Sequence, residues 1–420
     1  MEAIRAVAAF LDAHPELGKG RITVAFSGGY DSLCLLSCLK ALGCDVVALY
    51  VDHRLRSPEE LEEEARLNEA NCRTLGVPLE VVHLADGQVE ALCDELGCGL
   101  EAAARILRYK VLEDRGIVAT AHNRDDQAES LMMRLTSGCT ILSLSGIRAV
   151  RGRIVRPLLA VPRCDIVRHV DSLGLNASHD TTNDELFCMR NRMRHLVMDS
   201  LSEEVKDRLC RIAANMQAIE ARLDDLEVVD HGLWCSASRS AYLALSPLAR
   251  QKALFQIHSR FSTRRLSEGG RVAVDEAVEK GRGLEGADLI LRQKAGMLSF
   301  FPPRLFFSCS FKEGVHLPYG LVMRRTGGEK ALHFDPSRLE GTAILRLSEE
   351  GDRMLTKGRL VPISDLLSAW GCPYGLVLQD AVGVRAVFAS PFGGRDRLAD
   401  SLLEADWAPL PPWLPCHEST

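Results

Sequence analysis

The sequence predicts an α/β fold, a parallel sheet flanked by helices, with smaller domains following it. Two observations carry that reading. Four short apolar runs in the first 122 residues are separated by helical stretches of about 10–20 residues. A glycine-rich or charged segment follows the first, second and fourth of them. Strands spaced by helices imply right-handed βαβ units and a sheet covered on both faces. Ligands of such sheets bind beyond the carboxyl ends of the strands, so the residues after Phe26, Val51 and Ala121 are suspects on topology alone.

Taken in order, RITVAF (21–26) is the first strand, followed by SGGYDS and an apolar helix from Leu33 to Leu42. DVVALYV (45–51) is a second, buried strand. Ser57, Pro58 and Glu60 then form a helix start in which Ser57 caps, Pro58 fits the first turn and Glu60 completes a capping box. PLEVVHL (78–84) is the third strand, EAAARILRYKVLEDRG (101–116) a helix closed by Gly116, and IVATAH (117–122) the fourth strand. Ser200 with Glu203 opens a long helix whose apolar positions Val205, Leu209, Ile212, Met216, Ile219, Leu223 and Leu226 form one seam, expected to connect domains. Residues 240–300 are mixed, with a helix over 247–261. From about 312, Gly, Pro and short apolar runs indicate a β-rich domain with a helix near 363–370. The expected organisation is a catalytic domain over 1–200, a linker helix over 201–230, and two small domains over 231–310 (α-rich) and 311–420 (α+β, β-rich).

The 420 residues suit two or three domains, and 51 basic against 57 acidic side chains give a formal charge of −6. No apolar run is long enough for a transmembrane helix, and the N-terminus lacks a secretory pattern. Fourteen cysteines are scattered without any C-x-x-C, so zinc and iron–sulfur signatures are missing and the thiols are expected as small buried hydrophobes in a reducing cytoplasm. Mild acidity does not exclude nucleic acid, because binding depends on where positive charge clusters.

Ser27-Gly28-Gly29-Tyr30-Asp31-Ser32 sits at a strand-to-helix junction. Glycines let the backbone approach an anion, the helix start presents free N–H groups and a positive dipole end, Ser27 and Ser32 add hydroxyls, and Asp31 is placed to hold Mg²⁺ against phosphate oxygens. The plain alternative is a capped Gly-Gly turn. No Walker pattern is present. Val51 to Arg56, with His53, follows the second strand at the same sheet edge, where nucleotide contact competes with an ordinary solvated loop. Glu101, Arg105 and Arg108 share one helix face, for which a Glu–Arg pair is the plain reading and phosphate binding the functional one.

Thr120 to Glu129 leaves the fourth strand and enters a helix. His122, Asp126 and Glu129 step by 4 and 3, aligning an imidazole and two carboxylates. Such a set can position a nucleophile, deprotonate an amine or help hold a metal. An acid-rich helix start explains Asp125 and Asp126 but not the strand-end histidine. Further on, Arg148, Arg151, Arg153, Arg156, Arg163 and Arg168 make a basic stretch, and Arg190, Asn191, Arg192 and Arg194 cluster in MRNRMRH (189–195). Both are candidate polyanion surfaces, with a solvated face as the alternative for the first.

S-G-G-x-D-S resembles the pyrophosphate loop of the PP-loop ATP pyrophosphatase superfamily. SGGYDS, VDHRLR, EAAARILRY, AHNRDDQAES, Arg156-Pro157-Leu158-Leu159, and DTTND followed by RNRMRH, in this order, resemble the tRNA(Ile)-lysidine synthase family over residues 20–200. Tyr30 is bulky at a variable loop position and Ser130 stands where threonine is common; neither removes a group the chemistry needs.

The resemblance implies ATP cleaved between its α- and β-phosphates. The C2 oxygen of the wobble cytidine in the CAU anticodon of tRNA(Ile) is adenylated, and the ε-amine of free lysine then displaces AMP. It further implies Ser27–Ser32 and His53 at the nucleotide, Asp31 with Mg²⁺, and Arg105 or Arg108 at the α-phosphate. Asp126 or Glu129 would bind the lysine ammonium, and His122 or a carboxylate would accept its proton. Arg190, Asn191 and Arg194 would contact tRNA, as would both C-terminal domains. A cytoplasmic monomer or homodimer without membrane contact is expected.

Three rivals share parts of this pattern. tRNA 2-thiolation normally relies on paired cysteines, small-molecule amidation needs no RNRMRH cluster, and an ATP-sensing or RNA-binding module does not require the aligned His122, Asp126 and Glu129.

Overall fold

The computed structural model describes residues 2–55, 57–113, 115–137, 140–178, 193, 197–262, 266–325, 332–402 and 413–417. The chain divides into two compact units, residues 1–221 and 222–420.

Unit 1 is built on a six-stranded sheet: β1 (Ile22–Phe26), β2 (Val46–Asp52), β3 (Leu79–His83), β4 (Ile117–Ala119), and the hairpin β5 (Val150–Arg151) and β6 (Ile154–Val155). Their spatial order is β3-β2-β1-β4-β6-β5. All neighbours run parallel except β5 and β6 at the edge. The parallel sheet expected from the apolar runs is thus present, extended by a hairpin that its short strands did not announce. From β1 the chain builds outward through β2 and β3, then returns to lay β4 on the other side of β1. That reversal makes the β1–β4 boundary the topological switch point, where a crevice opens beyond the strand ends.

Around the sheet lie α1 (Glu2–Ala13), α2 (Tyr30–Ala41), α3 (Pro58–Leu75), α4 (Gln88–Leu96), α5 (Leu100–Glu113), α6 (Arg124–Thr136), α7 (Arg163–Ser172) and α8 (Glu203–Glu220). Every residue of α2 from Ser32 to Leu39 is buried, which places it centrally in a core with Val24, Ile166 and Val170. The capping box read at Ser57 and Glu60 is present, and Gly76 closes α3 in the left-handed region.

The long helix differs from its sequence reading in three ways. Its cap is Ser202, which accepts from Val205 N, rather than Ser200, and it ends at Glu220, short of Leu223 and Leu226. The seam is also rotated: Leu209, Ala213 and Met216 are buried, while Val205, Ile212 and Ile219 are exposed. Small Ala213 lets α8 approach Ala128 and Leu131 of α6, and Gln217 donates to the carbonyls of Ser145 and Ile147 on the same side. A repeat of 3 and 4 fixes a stripe, but small residues and hydrogen bonds decide which edge of it is covered.

Unit 2 carries a five-stranded sheet of residues 228–230, 235–238, 297–301, 290–294 and 284–285. Its helices span Arg239–Ala244, Pro247–His258 and Glu268–Glu279. A second five-stranded sheet joins residues 308–310, 344–347, 376–379, 384–388 and 397–398, beside the helix Ile363–Trp370. The strand pairs of this unit are antiparallel. Among the described residues no helix is long and apolar enough to cross a membrane.

The expectation that the cysteines are buried hydrophobes holds for Cys34, Cys38, Cys72, Cys235 and Cys372. Cys44, Cys93, Cys98, Cys210 and Cys309 are half-buried, and Cys164 on α7 is exposed.

Candidate active site

Because β2, β1 and β4 are parallel neighbours spaced about 4.8 Å apart, the loops after Asp52, Phe26 and Ala119 leave the same sheet edge side by side. The three segments singled out in the sequence are brought together by this register alone.

Gly28 has φ +75°, and a Cβ there would fall 2.2 Å from Asn68 Oδ1, so both backbone conformation and space demand glycine. Gly29 caps α2 without any side-chain hydrogen bond at φ −76°, leaving the helix start uncovered for an anion. Ser32 turns inward: its Oγ donates to Gly29 O at 3.0 Å and accepts from Ser27 N at 3.3 Å. It therefore braces the loop. Asn68 of α3 is fully buried against Gly28, with both amide atoms lacking a hydrogen-bond partner among the described residues.

Asp31, in the first turn of α2, accepts from Asn123 Nδ2 at 3.0 Å and pairs with Arg163 Nη1 at 3.3 Å. Asn123 is also the cap of α6. Its Oδ1 accepts from the amides of Asp125 and Asp126, and Asp126 Oδ2 accepts from Asn123 N at 2.9 Å. One asparagine thus joins the glycine loop to the acid-rich helix across the switch point. His122 precedes the cap, its Nδ1 hydrogen-bonded to Thr120 Oγ1 at 3.0 Å, and Glu129 lies buried one turn beyond Asp126. A single hard carboxylate such as Asp31, 30% exposed beside the glycine loop, suits Mg²⁺, which takes one or two carboxylates and completes its shell with phosphates and water.

His53 follows β2. Arg108 Nε donates to its Nε2 at 3.3 Å, and its Nδ1 is buried without a partner among the described residues. Burial, and then the charge of Arg108, push its pKa down to about 4, so the ring is neutral at physiological pH. Beneath it, buried Asp52 accepts from Arg54 N and from His83 Nδ1, both at 2.9 Å, which ties the turn to β3. Arg105 turns to Tyr109, with its guanidinium 5.2 Å from the ring centroid; the Glu–Arg reading of this face gives way to an Arg–Tyr stack.

The basic stretch does not form one surface. Arg156 is buried and donates to Arg148 O, Arg148 pairs with Glu220, Arg168 with Asp165, and Arg163 with Asp31. Carboxylates that the fold brings alongside pair with Arg148, Arg163 and Arg168, whereas Arg151 and Arg153 are exposed. Arg190, Asn191 and Arg194 lie outside the described residues. Asn68 and His83 were not singled out from the sequence, and Arg163 only as one arginine of a basic run; each matters through a tertiary neighbour and has no local signature.

Residues 2–201 match the PP-loop domain family. A tRNA(Ile)-lysidine synthase of Treponema pallidum is 40% identical over 192 residues, covering 43% of this chain and 40% of that protein. One of Bacillus subtilis is 34% identical over 218 residues, covering 49% and 45%, and one of Geobacter sulfurreducens 36% identical over 239 residues, covering 53% and 50%. The chain thus spans half or less of the length of these relatives. Among solved structures, the U34-tRNA thiolase NcsA from Methanococcus maripaludis superposes with a TM-score of 0.44 at 18% identity, covering 53% of this chain and 80% of that one.

Proposed function

We propose that this chain, with its PP-loop fold over residues 2–201, is a tRNA-modifying ligase that converts the wobble cytidine of the CAU anticodon in tRNA(Ile) to lysidine. The observation that carries the reading is the Asn123 bridge: it sets a phosphate loop on one side of a crevice and, on the other, His122 followed by the helix bearing Asp126 and Glu129. Relatives named tRNA(Ile)-lysidine synthase support the choice of substrate.

In the first step the cytosine C2 oxygen attacks the α-phosphorus of ATP, the bond to the α–β bridging oxygen breaks, and pyrophosphate leaves. The amides around Gly28 and Gly29 hold the outer phosphates, and Arg105 or Arg108 meets the charge that builds at the α-phosphate. Asp31 would hold Mg²⁺, whose charge would screen the triphosphate when bound. His53, which accepts from Arg108, stands with that arginine beside the nucleotide. In the second step the lysine ε-nitrogen attacks C2 and the C2–O bond to AMP breaks. The ammonium must first lose a proton; Asp126 or Glu129 binds the cation, and His122 or a carboxylate takes the proton. Arg190, Asn191 and Arg194 and the domains after residue 230 contact the tRNA. The substrates assign the reaction to the cytoplasm, with a monomer or homodimer as the working unit.

The direct test is incubation of the purified protein with ATP, Mg²⁺, labelled lysine and bulk tRNA. Label in tRNA with AMP and pyrophosphate released is the expected result; ADP release, or tRNA without label, overturns the reading. Within it, Asp126→Asn and Glu129→Gln are expected to reduce lysine transfer more than adenylation. Equal losses in both half-reactions reject that division of roles.

A further inference from the structure

Behind the phosphate loop the core holds a group of ligand-type side chains that the proposed reaction does not use. Cys34 and Cys38 stand one turn apart on α2, both fully buried, and His169 of α7 faces them. The two sulfurs and a ring nitrogen of His169 all lie within 4.8 Å of one another, with Cys38 Sγ 3.6 Å from His169 Nε2. Ser37 Oγ is 3.0 Å from the same nitrogen.

We propose that Cys34, Cys38 and His169 form a binding site for a thiophilic d¹⁰ cation, Zn²⁺ by preference, that pins α2 to α7. The spacing is the first argument. With Zn–S near 2.3 Å and Zn–N near 2.0–2.1 Å, tetrahedral ligand atoms stand roughly 3.5–3.8 Å apart, which the Cys38–His169 separation already meets. Ligand chemistry is the second: soft thiolates and an imidazole select zinc or copper(I) over the hard Mg²⁺ of the phosphate site. Charge decides between those two, because two thiolates balance a divalent ion exactly as burial requires, whereas copper(I) would leave a net negative charge in an apolar core. The Ser37 hydroxyl or a water supplies the fourth position, and half-buried His169 gives the ion its way in.

The placement gives the site a consequence. Cys34 lies one helical turn beyond Asp31, and α7 begins at Arg163, the partner of Asp31. The same two helices are therefore joined at their starts by an ion pair and, with the cation, within their bodies as well. The bound ion would stiffen the helix that presents the phosphate loop.

The full-length, reduced, chelator-stripped protein is titrated with Zn²⁺ against a chromophoric chelator, and with Co²⁺ to read thiolate-to-cobalt charge-transfer absorption. One equivalent is expected to bind, with that absorption present, and to raise the thermal midpoint. His169→Gln and Cys38→Ala should each weaken the site at least tenfold, while Cys164→Ser, at the exposed thiol, should leave it intact. Should Cys38→Ala not fold, His169→Gln at the half-buried position decides alone. The proposal is overturned if no stoichiometric site is found, or if the bound equivalent survives His169→Gln.

Discussion

Asn123 Nδ2 reaches Asp31 Oδ1 across 3.0 Å while Asn123 Oδ1 caps α6 through the amides of Asp125 and Asp126. One side chain therefore serves stability through its oxygen and site geometry through its nitrogen, and the two roles can be separated. Asn123→Ala loses both, so it is expected to cost about 1 kcal/mol of folding stability, within the usual range for a lost cap, together with most ATP–pyrophosphate exchange. Asn123→Asp keeps the cap but sets a carboxylate against Asp31. It should melt near the parent temperature and still lose exchange. Parallel recovery of both properties in the aspartate variant would falsify the bridging role.

Gly28 and Gly29 are not equivalent. Gly28→Ala must place a methyl group 2.2 Å from Asn68 Oδ1 at φ +75°, whereas a Cβ at Gly29 meets nothing nearer than 3.7 Å. A non-glycine residue in the left-handed region costs about 1–2 kcal/mol before the clash is counted. Nucleotide affinity measured by calorimetry is expected to fall more than tenfold in Gly28→Ala and less than threefold in Gly29→Ala. The Gly28→Ala/Asn68→Ala double variant should recover part of the loss, because the clash goes and the backbone strain stays.

Local chemistry accounts for what the sequence made legible. Gly28, the Ser57–Glu60 box and the strand-end motifs act through neighbours within a few residues, so spacing reveals them. The strand order could not be read from them, yet it is what sets the loops after Phe26, Asp52 and Ala119 side by side. Arg163 read as one arginine in a basic run because its partner, Asp31, is 132 residues away. Asn68 carries no local signal because only folding lays it on Gly28. The exposed edge of α8 was misjudged for the related reason that a stripe of apolar residues does not say which edge a neighbour will cover.

His53 makes stability depend on pH in a stated direction. Its folded pKa, about 4, lies below the ordinary 6.5 because of burial first and the Arg108 charge second. Between those values the unfolded state binds more protons, so the contribution is complete above pH 6.5 and is lost as pH falls towards 4. Allowing for solvent that reaches part of the ring, the loss is about 1–2 kcal/mol. Denaturant unfolding at a series of pH values should show a shallower acid slope for His53→Gln than for the parent chain. An unchanged slope would mean that the ring titrates normally in the folded protein.

Arg124 offers a test of how α8 is held to α6. Its buried guanidinium contacts Glu203, Asp207 at 2.7 Å and Asp125 at 3.3 Å, whereas the Glu203 and Asp207 side chains are more than half exposed. The pairing is therefore asymmetric. Arg124→Met removes the buried charge and returns two carboxylates to water, for an expected loss of about 1 kcal/mol. Glu203→Gln with Asp207→Asn instead leaves the guanidinium buried with Asp125 as its remaining carboxylate, and stranding a buried charge costs about 3 kcal/mol or more when no partner remains. Since Asp125 still offsets part of that, the double variant should lose about 2 kcal/mol in equilibrium unfolding. A double variant more stable than Arg124→Met would show that the guanidinium is solvated in the folded chain and that α8 is held by its other contacts, among them Leu209, Ala213, Met216 and the Lys206–Asp125 pair.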